Sequence, residues 1–103
     1  MYKLNYYVPV DAKEKTKEAL FSIGVGMFDT YENCSWETLG KGQFKPVANA
    51  NPNIGVLNTL EILDEYKIEM ICKDELIHQA VKTLKDIHPY EEVAYEVFKM
   101  EDF

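Results

Sequence analysis

The sequence predicts an α+β fold: a ferredoxin-like split β-α-β sandwich, one sheet under two helices, with an extra hairpin and loop in the middle. Three observations carry this. Segments 2–10, 66–70 and 93–100 alternate side chains with the period of two that suits a strand. Segments 12–23 and 74–87 repeat apolar residues at helical spacing. The order is strand, helix, strand, hairpin and loop, strand, helix, strand. With 103 residues, 47% of them apolar, one domain spanning 1–103 is the expected unit.

Taken in order, Tyr2, Leu4, Tyr6, Val8 and Val10 form one face of the first strand, and Pro9 belongs near its end. Asp11 is positioned to cap the following helix, with Glu14 three residues on as in a capping box. Ala12, Thr16, Ala19, Leu20 and Ile23 fall on its inner face, and Gly24 stops it. Gly24-Val25-Gly26 reads as backbone turns needing positive φ rather than as a nucleotide loop, because it follows a helix and lacks GxGxxG. Segment 31–39 reads as the second strand, with Cys34 and Trp36 on one face. Gly40-Lys41-Gly42 reads as a turn and Gln43-Phe44-Lys45 as a brief return strand.

The asparagine-rich stretch to Asn53 is a loop, long enough to be a flap or to reach a neighbouring subunit. Tyr66, Ile68 and Met70 mark the next strand, with Glu61, Asp64 and Glu65 as a solvated edge just before it. Asp74 is placed to cap the second helix, whose stripe is Leu76, Ile77, Ala80, Val81, Leu84 and Ile87. The last strand sets Val93, Tyr95 and Val97 against Ala94, Phe98 and Met100. A strand apolar on both faces wants cover on both, and two helices cover only one. The open face therefore calls for the central loop or another subunit.

Eighteen acidic residues against eleven basic ones give a net charge of −7, a field that repels nucleic acid. No segment has the continuous apolar length of a membrane span, and the start of the chain lacks a signal-peptide pattern. A cytoplasmic protein is expected. Cys34 and Cys72 are distant in sequence and expected to be reduced, packed thiols.

The candidate site is His88-Pro89-Tyr90-Glu91-Glu92, an imidazole, a phenol and two carboxylates on the bend between the second helix and the last strand. His88 with Glu91 is a candidate divalent-metal pair, with Cys34 able to join only if the fold brings it near. Neither HExxH nor a Cys/His cluster is present, and no catalytic triad can be assembled. In the structural reading of the same residues, His88 bonds the last carbonyls of its own helix as a cation. Pro89 stops the helix, Tyr90 packs its ring and finds a hydroxyl partner, and the glutamates meet a neighbouring chain.

A spaced set of residues resembles the inserted small domain of the NIF-three-like (YqfO-like) proteins and, more distantly, the PII and CutA signalling-type folds. It comprises Gly24-Val25-Gly26, Tyr31, Cys34, Gly40-x-Gly42-x-Phe44-x-Pro46, Asn51-Pro52, Gly55, Glu61 and His88-Pro89-Tyr90-Glu91-Glu92-x-Ala94-Tyr95. In those larger proteins the domain interrupts another that holds two metal ions, so their metal chemistry has no residues here to carry it. The chain looks like a stand-alone version of the insert. Phe28-Asp29 departs from the family pattern, which has glycine at the second position.

The resemblance implies a PII/CutA-like domain, with a trimer favoured over a dimer and small effectors or metals bound in clefts. The expected function is a small oligomeric interaction or regulatory module with no catalysis of its own. The alternative is a metal- or small-ligand-binding protein using the 88–92 corner. Tyr31, Cys34, His88, Tyr90, Glu91 and Glu92 are the expected ligand or interface residues. No cofactor is expected beyond that divalent metal. A weak hydrolase with Cys34 as nucleophile ranks last, since it needs a lowered thiol pKa and a nearby base.

Overall fold

The centre of the molecule is set by β1 (Tyr2–Pro9), whose Leu4, Tyr6 and Val8 are fully buried in a computed structural model that describes all 103 residues. β3 (Glu61–Cys72) pairs antiparallel on one side of it and β4 (Tyr95–Lys99) on the other. β2 (Trp36–Phe44) completes the sheet on the far side of β3, giving the order β2-β3-β1-β4. α1 (Lys13–Ser22) and α2 (Ile77–Ile87) pack on one face. The expected ferredoxin-like α+β sandwich is what forms.

Alternation explains the core. Leu4, Tyr6 and Val8 point to the helices beside Ile68, Met70 and Cys72, and meet Leu20, Val25, Ile77, Ala80 and Leu84. Burying each leucine contributes about 1.5–3 kcal/mol. Thr16 is the one polar group on the inner face of α1. Its hydroxyl donates to the Lys13 carbonyl at 2.9 Å, so the Tyr6 hydroxyl donates to Thr16 Oγ1 at 2.8 Å. Both polar atoms are thereby satisfied in an apolar layer. Lys13 and Lys17 reach across to Glu37 at 2.8 and 2.9 Å and tie α1 to β2.

Several local expectations are corrected. No hairpin forms at Gly40-Lys41-Gly42. β2 runs straight through these residues, pairing Gly40 with Glu65 and Gly42 with Leu63, and the expected strand at 31–35 is loop. Glu61, Asp64 and Glu65 lie inside β3 rather than before it. β2 and β3 run past the end of β1 as a two-stranded arm carrying loop 45–60. Neither aspartate caps its helix. Short 3₁₀ turns, Val10–Ala12 and Asp74–Leu76, precede the two helices, and the N-cap positions fall on Ala12 and Leu76 without side-chain bonds. Asp74 instead pairs with Lys99 on β4 at 2.8 Å.

The turn after α1 is held by backbone. Gly26 N–H donates to Ile71 O at 2.9 Å, and Cys34 N–H donates to Gly26 O at 2.8 Å. Gly26 has φ +82°, and a Cβ there would lie 2.7 Å from the Cys34 carbonyl oxygen. Asp29, where the resembling family has glycine, keeps a left-handed φ of 52°, a conformation short polar side chains tolerate. Gly26→Ala is expected to lower stability by about 2 kcal/mol or more. Gly40→Ala, with open space around its Cα, should stay within about 0.5 kcal/mol. Urea unfolding of both variants checks this, and equal midpoints would show that the turn does not need glycine.

Candidate functional site

The corner after α2 is built around the His88 ring. His88 is 6% exposed, its backbone already extended as the helix ends. One ring nitrogen, Nε2, lies 2.6 Å from the Tyr7 carbonyl oxygen, and Nδ1 accepts the Tyr90 backbone N–H at 3.1 Å. A carbonyl can only accept and an amide N–H can only donate, so Nε2 carries the proton and Nδ1 does not. The ring is neutral in this arrangement. Burial pushes its pKa below the ordinary histidine value, only partly offset by the bond to Tyr7 and by the Glu65 carboxylate. This corrects the expected cationic histidine capping its own helix: the ring bonds the neighbouring strand.

Tyr90 is fixed by the same turn. Its ring lies 4.8 Å from that of His88 and 5.9 Å from that of Phe44, centroid to centroid. Its hydroxyl donates to Glu65 Oε2 at 2.6 Å. Burial, then this carboxylate, pushes the phenol far above the ordinary tyrosine range, so it stays a donor at neutral pH. Glu65 in turn lies across Gly42, where a Cβ would collide with its carboxyl group. Glycine at 42 thus makes room for the carboxylate that Tyr90 uses. Glu91 accepts the Asn51 backbone N–H at 3.0 Å and ties loop 45–60 to the corner. Gly55 of that loop packs near Phe44.

These contacts enclose a cleft of about 300 Å³ between the arm, the loop and the corner. Phe44, Pro46, Pro52 and Ile54 form apolar walls, while Glu65, Tyr90, Glu91, Glu92 and Lys45 supply polar groups. Of the six expected site residues, Tyr90, Glu91 and Glu92 line it, and His88 lies behind Tyr90. Cys34 and Tyr31 do not join them. Cys34 is bonded to Gly26, which is bonded to Ile71. On β3, Ile71 stands four residues from Lys67, the partner of Tyr7, a separation of about 13 Å along the strand. Tyr31 is 71% exposed and bridges Phe28 in the same distant loop. Phe44, Glu65 and the loop prolines are the cleft residues that sequence reasoning missed. The one available signal was a carboxylate facing two glycines on a paired strand, and that register cannot be seen before pairing.

No group of three His, Cys, Asp or Glu side chains gathers closely enough to hold a metal ion. Both His88 nitrogens are engaged with backbone, so a metal would have to break one of those bonds.

No family model matches the chain. Its sequence is 42% identical over 100 residues to the GTP cyclohydrolase 1 type 2 homolog of Listeria monocytogenes, covering 96% of this chain and 27% of that protein. It is 38% identical over 99 residues to the protein of the same name from Staphylococcus epidermidis, with the same coverage. The chain therefore spans about a quarter of the length of these relatives. Among solved structures, a Bacillus cereus protein related to NIF3 superposes with a TM-score of 0.83 at 32% identity, over 98% of this chain and 26% of that one. The divalent cation tolerance protein CutA of Archaeoglobus fulgidus superposes with a TM-score of 0.71 at 13% identity, over 100% and 87% of the two chains, a likeness of fold.

Because the folded pKa of His88 lies below its unfolded value of about 6.5, unfolded chains take up a proton below that pH before folded ones do. Stability should fall as pH drops from 6.5 toward 5. The carboxylates with depressed pKa, Glu37 and Glu69 with a usual value of 4.5 and Asp74 with 3.8, lose their contribution mainly below this window. Urea unfolding at pH 7.5 and 5.0 should show a larger loss in the native protein than in His88→Gln. Equal losses would mean that the buried ring does not titrate as its setting requires.

Over nearly its whole length, then, this chain is a homologue of one segment of the NIF3-related GTP cyclohydrolase 1 type 2 homologs, a segment with the CutA/PII-like fold.

Proposed function

We propose that the chain is a self-associating interaction or regulatory module, without catalysis of its own, whose contact surface is the sheet face turned away from the helices. The observation that carries this is the pair of large apolar side chains left exposed at the two edges of that face. Trp36, on the β2 edge, is 69% exposed, and Phe98, on the β4 edge, is 55% exposed. Ile71 lies between them, together with Lys3 and Glu69, which pair at 2.7 Å. Loop 45–60 packs against Phe44 and Glu91 at the other end of the sheet and leaves these residues open. Covering each large apolar side chain is worth about 1.5–3 kcal/mol, and a second copy is the cover at hand. A trimer, favoured over a dimer, is the proposed assembly on the strength of the resemblance to the PII and CutA folds.

The non-catalytic reading is supported by the candidate nucleophile. The Cys34 thiol meets only the Glu32 carbonyl, at 3.9 Å, with no base beside it. The relatives' name refers to a cyclohydrolase, but this chain corresponds to about a quarter of them. A second reading, small-ligand binding at the 88–92 corner, is favoured by the cleft itself. Its small-molecule form is preferred to its divalent-metal form, because His88 and Glu91 already bond backbone groups.

Light scattering at tens of micromolar should give about three times the 11.9 kDa chain mass. Trp36→Glu combined with Phe98→Glu should reduce it to the single-chain mass with unchanged circular dichroism. A native protein that stays at the single-chain mass would overturn the self-association reading.

A further inference from the structure

We propose that the corner cleft binds a small organic cation, an amine with an apolar body. The inference rests on the small-ligand reading above and adds the chemical class. The Phe44 and Tyr90 rings stand 5.9 Å apart at 57°, and both line the cleft. A cation over an aromatic face gains from the ring quadrupole, more so when partly desolvated. Around them stand three carboxylates, Glu65, Glu91 and Glu92, against one ammonium, that of Lys45.

The hydrogen bonds within the cleft leave acceptors free. Glu65 uses Oε2 for the Tyr90 hydroxyl, and no hydrogen bond engages its Oε1. Glu92 is exposed and makes none. A bound ammonium would have acceptors for its protons beside the aromatic faces, while Pro52 and Ile54 would cover its carbon skeleton. An anion would meet like charge from three sides, in a chain already at −7. A neutral apolar ligand would remove water from the carboxylates without replacing it. The volume of about 300 Å³ stands at the lower end of small-molecule sites, which fits a ligand of one ring or a short chain.

The test is an amide-shift titration of the ¹⁵N-labelled full chain at pH 7. Benzylamine, protonated at that pH, is the probe, and benzyl alcohol and benzoate are neutral and anionic controls of the same shape. Benzylamine should give saturable shifts confined to residues 43–54, 65 and 90–94, with a Kd on the order of 1 mM. The alcohol should bind about tenfold more weakly, and benzoate should produce no saturable shift there. Glu92→Gln removes a charge with no structural bond to lose, and should weaken benzylamine about two- to fivefold. Alcohol or benzoate binding the cleft as well as the amine would keep the small-ligand reading and overturn the cation. Absence of saturable cleft shifts with all three probes would overturn both. Light scattering on the same samples reports self-association separately.

Discussion

The end of the β1–β4 ladder is closed by a side chain. Tyr7 N–H still reaches the Ala94 carbonyl at 3.2 Å, but β4 begins only at Tyr95, and the Tyr7 carbonyl is taken by His88 Nε2 at 2.6 Å. An imidazole supplies the donor that another strand residue would have supplied. The ring can do this in only one tautomer, and that tautomer leaves Nδ1 free to receive the Tyr90 N–H. One neutral ring therefore satisfies a carbonyl of the central strand and sets the bend that aims Tyr90 at the arm. A buried acceptor left without its donor would cost about 1–3 kcal/mol, so the corner is held in place by the sheet's own hydrogen-bonding needs.

From that bend the geometry passes outward through side chains. Tyr90 donates to Glu65 on β3, and Glu65 occupies the space that Gly42 leaves on β2. Glu91 holds the loop through Asn51. The cleft exists because these three ties pull the arm, the loop and the corner together without filling the space between them. It is a product of long-range pairing: residues near 42, 51, 65 and 90 meet only once the sheet has its register.

That dependence also explains what the sequence revealed. The alternation from Tyr2 to Val8 and the stripe of Ile77, Ala80, Val81 and Leu84 are local, because each follows from one element presenting one face to the core, and both are found, although Val10, read as the end of the first strand, lies exposed in a 3₁₀ turn. Gly40-Lys41-Gly42 misled because glycine usually marks a turn. Here it marks crowding from a neighbouring strand at Gly42, which only the β2–β3 register reveals. Asp11 and Asp74 looked like caps, but a 3₁₀ turn at each helix start moved the N-cap past them. The corner itself was legible as a cluster of polar residues on a bend. The protonation of His88 was not, since it depends on a carbonyl 81 positions away.

The two proposed surfaces meet in one residue. By strand alternation Glu65 lies on the open face with Tyr7, Lys67 and Glu69. Through Oε2 it is also part of the cleft. A copy whose contact ran from Trp36 and Phe98 along the open face as far as Glu65, six residues from Ile71 on β3, would change the solvent around that carboxylate, and a cation seated in the cleft would change its charge balance. If both proposals hold, the two events act on the same group. A binding free energy that depends on one event must then depend on the other by the same amount. The chain would then have a means of responding. The occupant of the corner would be registered as a change in how firmly the sheet faces come together, carried by a carboxylate that Gly42 and Tyr90 hold at the boundary between them.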